Sequence, residues 1–153
     1  MKVYRLSRKK YADTLSGKGA ALSSNRWNSK GVEMIYTAES RALAMAEIIV
    51  HLSLDLLPKD FVLLEITIPD TISLNKLQTK TLPESWSHFP YHHATQLIGD
   101  HFIKENKYAV LKVPSAVVKG DFNFLINPFH SEFKTIKITS KQPFLFDQRL
   151  LKW

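Results

Sequence analysis

In this 153-residue chain the residue whose setting most needs explaining is Glu47. Successive helical residues turn by about 100°, so Leu43 lies about 40° to one side of Glu47, Leu54 about 20° and Val50 about 60°. Glu47 therefore falls inside the apolar stripe of a predicted helix. No Lys or Arg stands three or four residues away to pair with it. A carboxylate there loses hydration at a cost on the order of several kcal/mol, unless a cation or hydrogen-bond donors meet it. Two readings follow. One is a structural ion pair with an Arg from another element. The other, which we take as the expectation, is a catalytic or ligand-binding carboxylate at the floor of a cleft.

Arg26 stands in the polar and aromatic cluster Asn25-Arg26-Trp27-Asn28, shortly before Gly31. Its planar guanidinium is a natural bidentate partner for phosphate or carboxylate; the bland alternative is a loop Arg stacked on Trp27. Arg5, between Tyr4 and Leu6, is a second cation in a predicted strand, where it would otherwise simply face outward. Tyr36, eleven residues before Glu47, is either a core ring or a stacking platform for a flat heterocycle. Ser115 follows Val113-Pro114 at a strand end and lacks the Gly-x-Ser-x-Gly surroundings of a hydrolase nucleophile. The loop Ser16-Gly17-Lys18-Gly19-Ala20 could bring backbone N–H groups close to a phosphate, although such loops are usually plain turns. The six histidines include no His-Glu-x-x-His, and His92-His93 point apart on any regular element, so no metal is expected. Walker A and Gly-x-Gly-x-x-Gly patterns are absent, which argues against P-loop and dinucleotide-binding Rossmann enzymes.

These residues have to be positioned by a folded domain. A hydrophobic fraction of 44% and a charged fraction of 23% exclude a disordered tail, a collagen-like fibre or a long coiled coil. The absence of cysteine excludes disulfides, thiolate chemistry and Cys-ligated zinc, and is compatible with a reducing compartment. The formal charge of +7 could attract nucleic acid, an acidic small molecule or an acidic partner. Only Arg8-Lys9-Lys10 forms a basic run, so direct nucleic-acid binding is not expected. The stretch from Ala42 to Leu54 is interrupted by Glu47 and His51, and no export signal is visible; the expectation is a cytoplasmic protein with no membrane span.

The pattern predicts strands at Lys2–Leu6, Met34–Thr37, Phe61–Ile68, Tyr108–Val113, Thr135–Thr139 and Phe144–Phe146. In the strand from Phe61, the residues Val62, Leu64, Ile66 and Ile68 share one face. Helices are predicted from Ser40, as N-cap, to about Leu54, and from Ala94 to Glu105. Thr81 to Tyr91 reads as a structured loop. No linker or repeat divides the chain. We expect one domain over residues 1–153, of α+β class, with a central, largely antiparallel β core and flanking helices.

The ordered set of motifs resembles the RES-domain proteins, a family named for an Arg, a Glu and a Ser. The resemblance rests on Val3-Tyr4-Arg5-Leu6, on Asn25-Arg26-Trp27-Asn28 with Gly31, and on Ile35 to Ser40 followed by Ala42-Leu43-Ala44 and Glu47. The later half adds Trp86, Thr95 to Asp100, Val113-Pro114-Ser115-Ala116, Asn123 to Pro128 with His130, and Phe146-Asp147 with Arg149-Leu150. Asn25 stands where a Gly commonly precedes the Arg-Trp pair.

The resemblance implies the toxin of a bacterial toxin–antitoxin pair, with a fold similar to ADP-ribosyltransferases. It implies NAD+ as substrate, cleaved at the nicotinamide–ribose bond by hydrolysis or phosphorolysis. The alternatives are mono-ADP-ribosylation of a protein and, last, RNA binding or cleavage. It implies an antitoxin with an Xre-like helix-turn-helix part, whose C-terminal region covers the active site, in a homodimer or a toxin–antitoxin hetero-oligomer. Glu47 would then stabilise an oxocarbenium-like ribose, Arg5 and Arg26 would hold the pyrophosphate, Tyr36 would face the nicotinamide, and Ser115 would orient the Glu or the nicotinamide end. Asn127 would join the ligand-binding residues. Nicotinamide leaves as a neutral group, so the chemistry asks for no metal.

Overall fold

A computed structural model describes residues 1–52 and 58–151. Seven strands form one sheet: β1 (Lys2–Arg8), β2 (Ile35–Ala38), β3 (Phe61–Thr67), β4 (Leu74–Lys76), β5 (Val110–Pro114), β6 (Phe122–Ile126) and β7 (Lys137–Phe144). Their spatial order is β4-β5-β6-β2-β1-β3-β7, and only β4–β5 is parallel. Among the described residues three α-helices accompany them: the single turn α1 (Lys18–Ala21), α2 (Arg41–Ile49) and α3 (His93–Glu105). This is the expected mixed, largely antiparallel α+β architecture.

The sheet is uneven. β1 pairs with β3 along its whole length, from Lys2↔Thr67 to Arg8↔Phe61, and β2 pairs throughout with β6. Between β1 and β2 there is one register pair, Tyr4↔Ala38. The sheet is thus two well-bonded halves, β4-β5-β6-β2 and β1-β3-β7, joined at a seam and parted beyond it.

Alternation in the strands distributes the core. Val3, Ile35, Leu64, Ile66, Val110, Phe124 and Ile126 bury one face. On the other, α3 and the loop before β2 cover Leu111, Val113 and Leu125 with Trp27, Met34 and Phe102. Across the seam α2 lays Met45 and Ile48 over Leu6, Phe61 and Leu63, and Leu43 and Ala44 against Ala38 and Tyr4. β3 is therefore apolar on both faces at its start, which its period-2 pattern did not convey. Ser40 Oγ accepts from Leu43 N at 3.0 Å and starts α2 where expected. The helix ends at Ile49, short of the predicted Leu54, which lies outside the described residues; Val50 is 57% exposed.

Two strands were not predicted, β4 and the central β6. The Phe122–Ile126 run, bounded by Gly120 and Pro128, is of a length compatible with a buried strand, but its largely apolar pattern has no period that separates strand from helix. The two late strands prove to be one, β7, which runs through Pro143; at a sheet edge the missing N–H costs no ladder bond. Among the described residues no helix is long and apolar enough to cross a membrane.

α2 is also tied electrostatically. Arg41, at its first turn, donates to Glu65 Oε2 at 3.1 Å and lies 4.6 Å from the Tyr4 ring centre, while Lys2 Nζ meets Glu65 Oε1 at 2.7 Å. The Lys2 hydrogen bond, together with the charges of Lys2 and Arg41, holds the Glu65 carboxyl below its usual range. Its stabilising effect is thus present above the ordinary Glu pKa of about 4.3 and is lost as pH falls through the lower folded-state value. Glu65→Gln should flatten the acid limb of melting temperature against pH, measured by circular dichroism between about pH 3 and 5. Gly99, in α3, faces the backbone of Trp27 so closely that a Cβ would stand 1.6 Å from the Trp27 carbonyl oxygen. Gly99→Ala should therefore destabilise by about 1–3 kcal/mol, read from denaturant unfolding.

Candidate functional site

The parting of β1 from β2 opens a cleft of about 870 Å³ lined by Arg5, Arg26, Tyr36, Glu47, His51, Phe89, Tyr91 and Asn123, among others. A recess of about 200 Å³ continues it toward Tyr4, Thr37, Ala38 and Ala44, sharing Arg5, Tyr36, Glu47 and Asn123. These dimensions suit a small-molecule site. Four of the expected residues, Arg5, Arg26, Tyr36 and Glu47, line it together, although they come from β1, a loop, β2 and α2.

Glu47 is half-buried. Its Oε1 accepts from Ser115 Oγ at 2.9 Å and from Asn123 Nδ2 at 2.6 Å. Among the described residues no cation lies within salt-bridge distance of it, so the ion-pair reading is not what the fold builds. Ser115 is buried, and its Oγ accepts from Val117 N and Val118 N, both at 3.1 Å. With both lone pairs engaged, the hydroxyl proton points to Glu47. Ser115 thus reaches the cleft through the carboxylate.

Arg5 sits one residue beyond the Tyr4↔Ala38 pair, where the strands have separated. The only hydrogen bond of its guanidinium among the described residues is a long one, 3.4 Å from Nη1 to the Ser16 carbonyl. Burial depresses its pKa, and no carboxylate offsets that cost. A desolvated guanidinium with donors to spare is suited to a phosphate or carboxylate ligand. Arg26 differs. Its Nη1 donates to the carbonyls of Trp86 at 2.6 Å and His88 at 3.2 Å, and its guanidinium lies 5.1 Å from the Tyr91 ring centre and 5.9 Å from that of Trp86. Trp27, the stacking partner in the alternative reading of Arg26, is instead buried against Trp86. Burial lowers the Arg26 pKa, opposed by electrostatic attraction to the neighbouring Tyr91, Glu47 and Tyr36. Arg26 therefore ties the segment bearing Phe89 and Tyr91 to the wall of the cleft.

Tyr36 presents its ring to the cleft, while its hydroxyl donates to Asn28 Oδ1 at 2.7 Å and accepts from Trp27 N at 3.2 Å. Burial raises its pKa. Its hydroxyl is committed to the loop that carries Arg26. Asn28 is fully buried, and its Nδ2 donates to the carbonyls of Ala20 and Ser29. Asn25 contributes Nδ2 to the Ala20 carbonyl at 3.0 Å and needs no positive φ, so the glycine common at this position is not required by the backbone. α3 braces the same loop: Asp100 Oδ1 accepts from Ser29 N, and Gln96 Nε2 donates to the Asn25 carbonyl.

Asn127 is a correction. It is fully buried and does not line the cleft; its Nδ2 donates to Asn106 Oδ1 and its Oδ1 accepts from Phe129 N, so its side chain closes a loop rather than facing a ligand. The Gly17–Gly19 segment forms α1 rather than an open phosphate loop, with Gly19 at the cleft edge. Among the described residues no three His, Asp or Glu gather as a metal site. Asn123 was missed as a site residue because the strand that carries it was missed. A single Asn between Phe122 and Phe124 in a buried apolar run was the signal available.

The profile of the RES domain family matches residues 2–147. The chain belongs to the RES domain family. This RES protein is 38% identical over 143 residues to the Prs ADP-ribosylating toxin of a Sphingobium species, covering 92% of this chain and 89% of that one. It is 37% identical over 154 residues to Toxin Res of Photorhabdus laumondii, covering 99% and 98%. Among solved structures, the M. tuberculosis MbcT–MbcA toxin–antitoxin complex contains a chain of the same fold, with TM-score 0.76 at 18% identity, covering 98% of this chain and 86% of that one.

Arg26→Lys keeps the charge but loses the rigid guanidinium whose Nη1 reaches two carbonyls and whose plane meets two rings. It should loosen the segment from Trp86 to Tyr91. Faster amide exchange there, with the melting temperature changed by only a few degrees, is the expected outcome.

Proposed function

We propose that this RES protein is a toxin that consumes NAD+ by breaking the bond between nicotinamide and ribose. The observation that carries the reading is the treatment of Glu47. Its negative charge is oriented by two neutral donors and, among the described residues, paired with no cation, in a cleft that also holds a half-buried Arg5 whose desolvated guanidinium has no carboxylate partner. Cleavage of a glycosidic bond develops positive charge on the sugar, and a preoriented, partly desolvated carboxylate stabilises that charge more than it stabilises the ground state. In this assignment Glu47 faces the ribose, Arg5 holds the pyrophosphate, and Tyr36 offers its ring to the nicotinamide. Arg26 keeps the Phe89–Tyr91 wall in place with part of its donor set and turns the rest to the ligand. Ser115 orients Glu47.

A second reading is mono-ADP-ribosylation of a protein, favoured by the 38% identity to a relative named as an ADP-ribosylating toxin. Both reactions use one donor site and differ in what reaches C1 of the ribose. The proposed partner is an antitoxin with an Xre-like helix-turn-helix part, a reading supported by the toxin–antitoxin assembly in which the structural neighbour was solved. The proposed site of action is the bacterial cytoplasm, where NAD+ is abundant.

The test is to incubate the purified chain with NAD+ labelled in the adenylate half, with and without a cell extract. Nicotinamide release with the label in a small molecule supports hydrolysis or phosphorolysis; label on protein supports transfer. Glu47→Gln keeps shape but not charge, and should lower turnover by about 10²–10³-fold without changing the melting temperature by more than a few degrees. Undiminished NAD+ loss in that variant would remove Glu47 from the chemistry.

A further inference from the structure

We infer that Asn123 is a positioning residue that, together with Ser115, sets the orientation of the Glu47 carboxylate. For its catalytic consequence the inference rests on the reading of Glu47 given above. Of the two donors to Oε1, Asn123 makes the shorter bond, 2.6 Å against 2.9 Å for Ser115. Its backbone is also firmly held. Its strand is laddered on both sides, with Ala38↔Asn123 toward β2 and Val113↔Asn123 toward β5. Glu47, by contrast, is a long, half-buried side chain near the end of a nine-residue helix. The strand is the fixed reference, and the carboxylate is what it fixes.

The direction of the bond is determined by the pair itself. Turning the amide would set Asn123 Oδ1 against Glu47 Oε1, two acceptors with no proton between them, so an ionised Glu47 selects the orientation in which Nδ2 donates. Both donors converge on Oε1. Among the described residues no hydrogen bond is made to Oε2, which remains the oxygen available to a ligand. A neutral donor is also the appropriate type. Lys or Arg at this position would orient the carboxylate while cancelling the charge on which its action depends. Asn is disfavoured in strands, and one 9% exposed between Phe122 and Phe124 has no packing reason to be there.

The experiment uses the full chain with Asn123→Ala, which removes the donor, and Asn123→Asp, which keeps the shape but replaces the donor by an acceptor. Nicotinamide release should show kcat reduced by about 10- to 100-fold with KM within about 3-fold of the parent, the signature of a misplaced group rather than lost binding. Introduced into Glu47→Gln, Asn123→Ala should cost no more than about 2-fold further, because a residue that acts through Glu47 has little left to act through. A crystal structure of Asn123→Ala should show the Glu47 carboxyl displaced or in more than one rotamer. Parent-level kcat in either folded variant, a loss confined to KM, or a full additive loss in the Glu47→Gln background would overturn the catalytic consequence. An unmoved Glu47 in the crystal structure would overturn the positioning itself, whatever the reaction. If the parent protein releases no nicotinamide, the functional reading fails, and the crystallographic comparison still decides the positioning.

Discussion

The site exists because β1 and β2 touch at Tyr4↔Ala38 and then part. A continuous ladder there would fill the space now occupied by the cleft and would turn Arg5 into an ordinary strand residue. Separation frees backbone groups on both strands and therefore has a cost, which falls where each strand is well paired on its other side. The seam is closed from above by α2, whose Leu43 and Ala44 pack on both Tyr4 and Ala38. The same helix delivers Glu47 to the opening. Arg41 at its start is anchored to β3 through Glu65, so the helix is held at one end by an ion pair and over its body by packing.

Two carboxylates in this small protein are handled in opposite ways, and the contrast is instructive. Glu65 accepts from Lys2 and Arg41, and its charge is used up in holding β1 and α2 to β3. Glu47 accepts from a hydroxyl and an amide and keeps its charge. The cations of the cleft follow the same rule. Arg26 is satisfied by carbonyls and rings, and Arg5 by one distant carbonyl, and among the described residues no carboxylate lies within ion-pair distance of either. Opposite charges held near each other without collapsing into ion pairs require a scaffold of neutral hydrogen bonds. Asn28, Asn25, Ser115 and Asn123 provide it. Such an arrangement trades some stability for a field in the cleft.

Much of the fold was legible. The alternation in Phe61–Thr67, the Ser40 cap and the apolar period of α3 are local features, and each element formed within a few residues of where it was expected. The resemblance to the RES family was likewise carried by local motifs, and the family match spans nearly the whole chain. The elements read less well were those whose pattern is not periodic. β6 is a continuous apolar run that does not distinguish strand from helix by period, and β7 crosses Pro143, which reads as a break until the strand is known to lie at a sheet edge.

For the site, the sequence by itself determined which residues carried unexplained chemistry: a carboxylate in an apolar setting, two arginines beside aromatic rings, and a Ser after a strand. Helical phase placed Glu47 on the inner side of α2, and that is a property of 3.6 residues per turn, requiring no knowledge of neighbours. Tertiary structure alone decided what met it. An Arg from elsewhere and a pair of neutral donors satisfy the same buried carboxylate equally well on paper, and the choice between them depends on which strand lies across the seam. Asn123 and Asn127 illustrate the point. They are the same residue type four positions apart in one motif, yet the first ends on Glu47 and the second closes a loop with Asn106 and Phe129. Local sequence sets neither outcome, because each follows from where β6 ends and what its ladder places opposite.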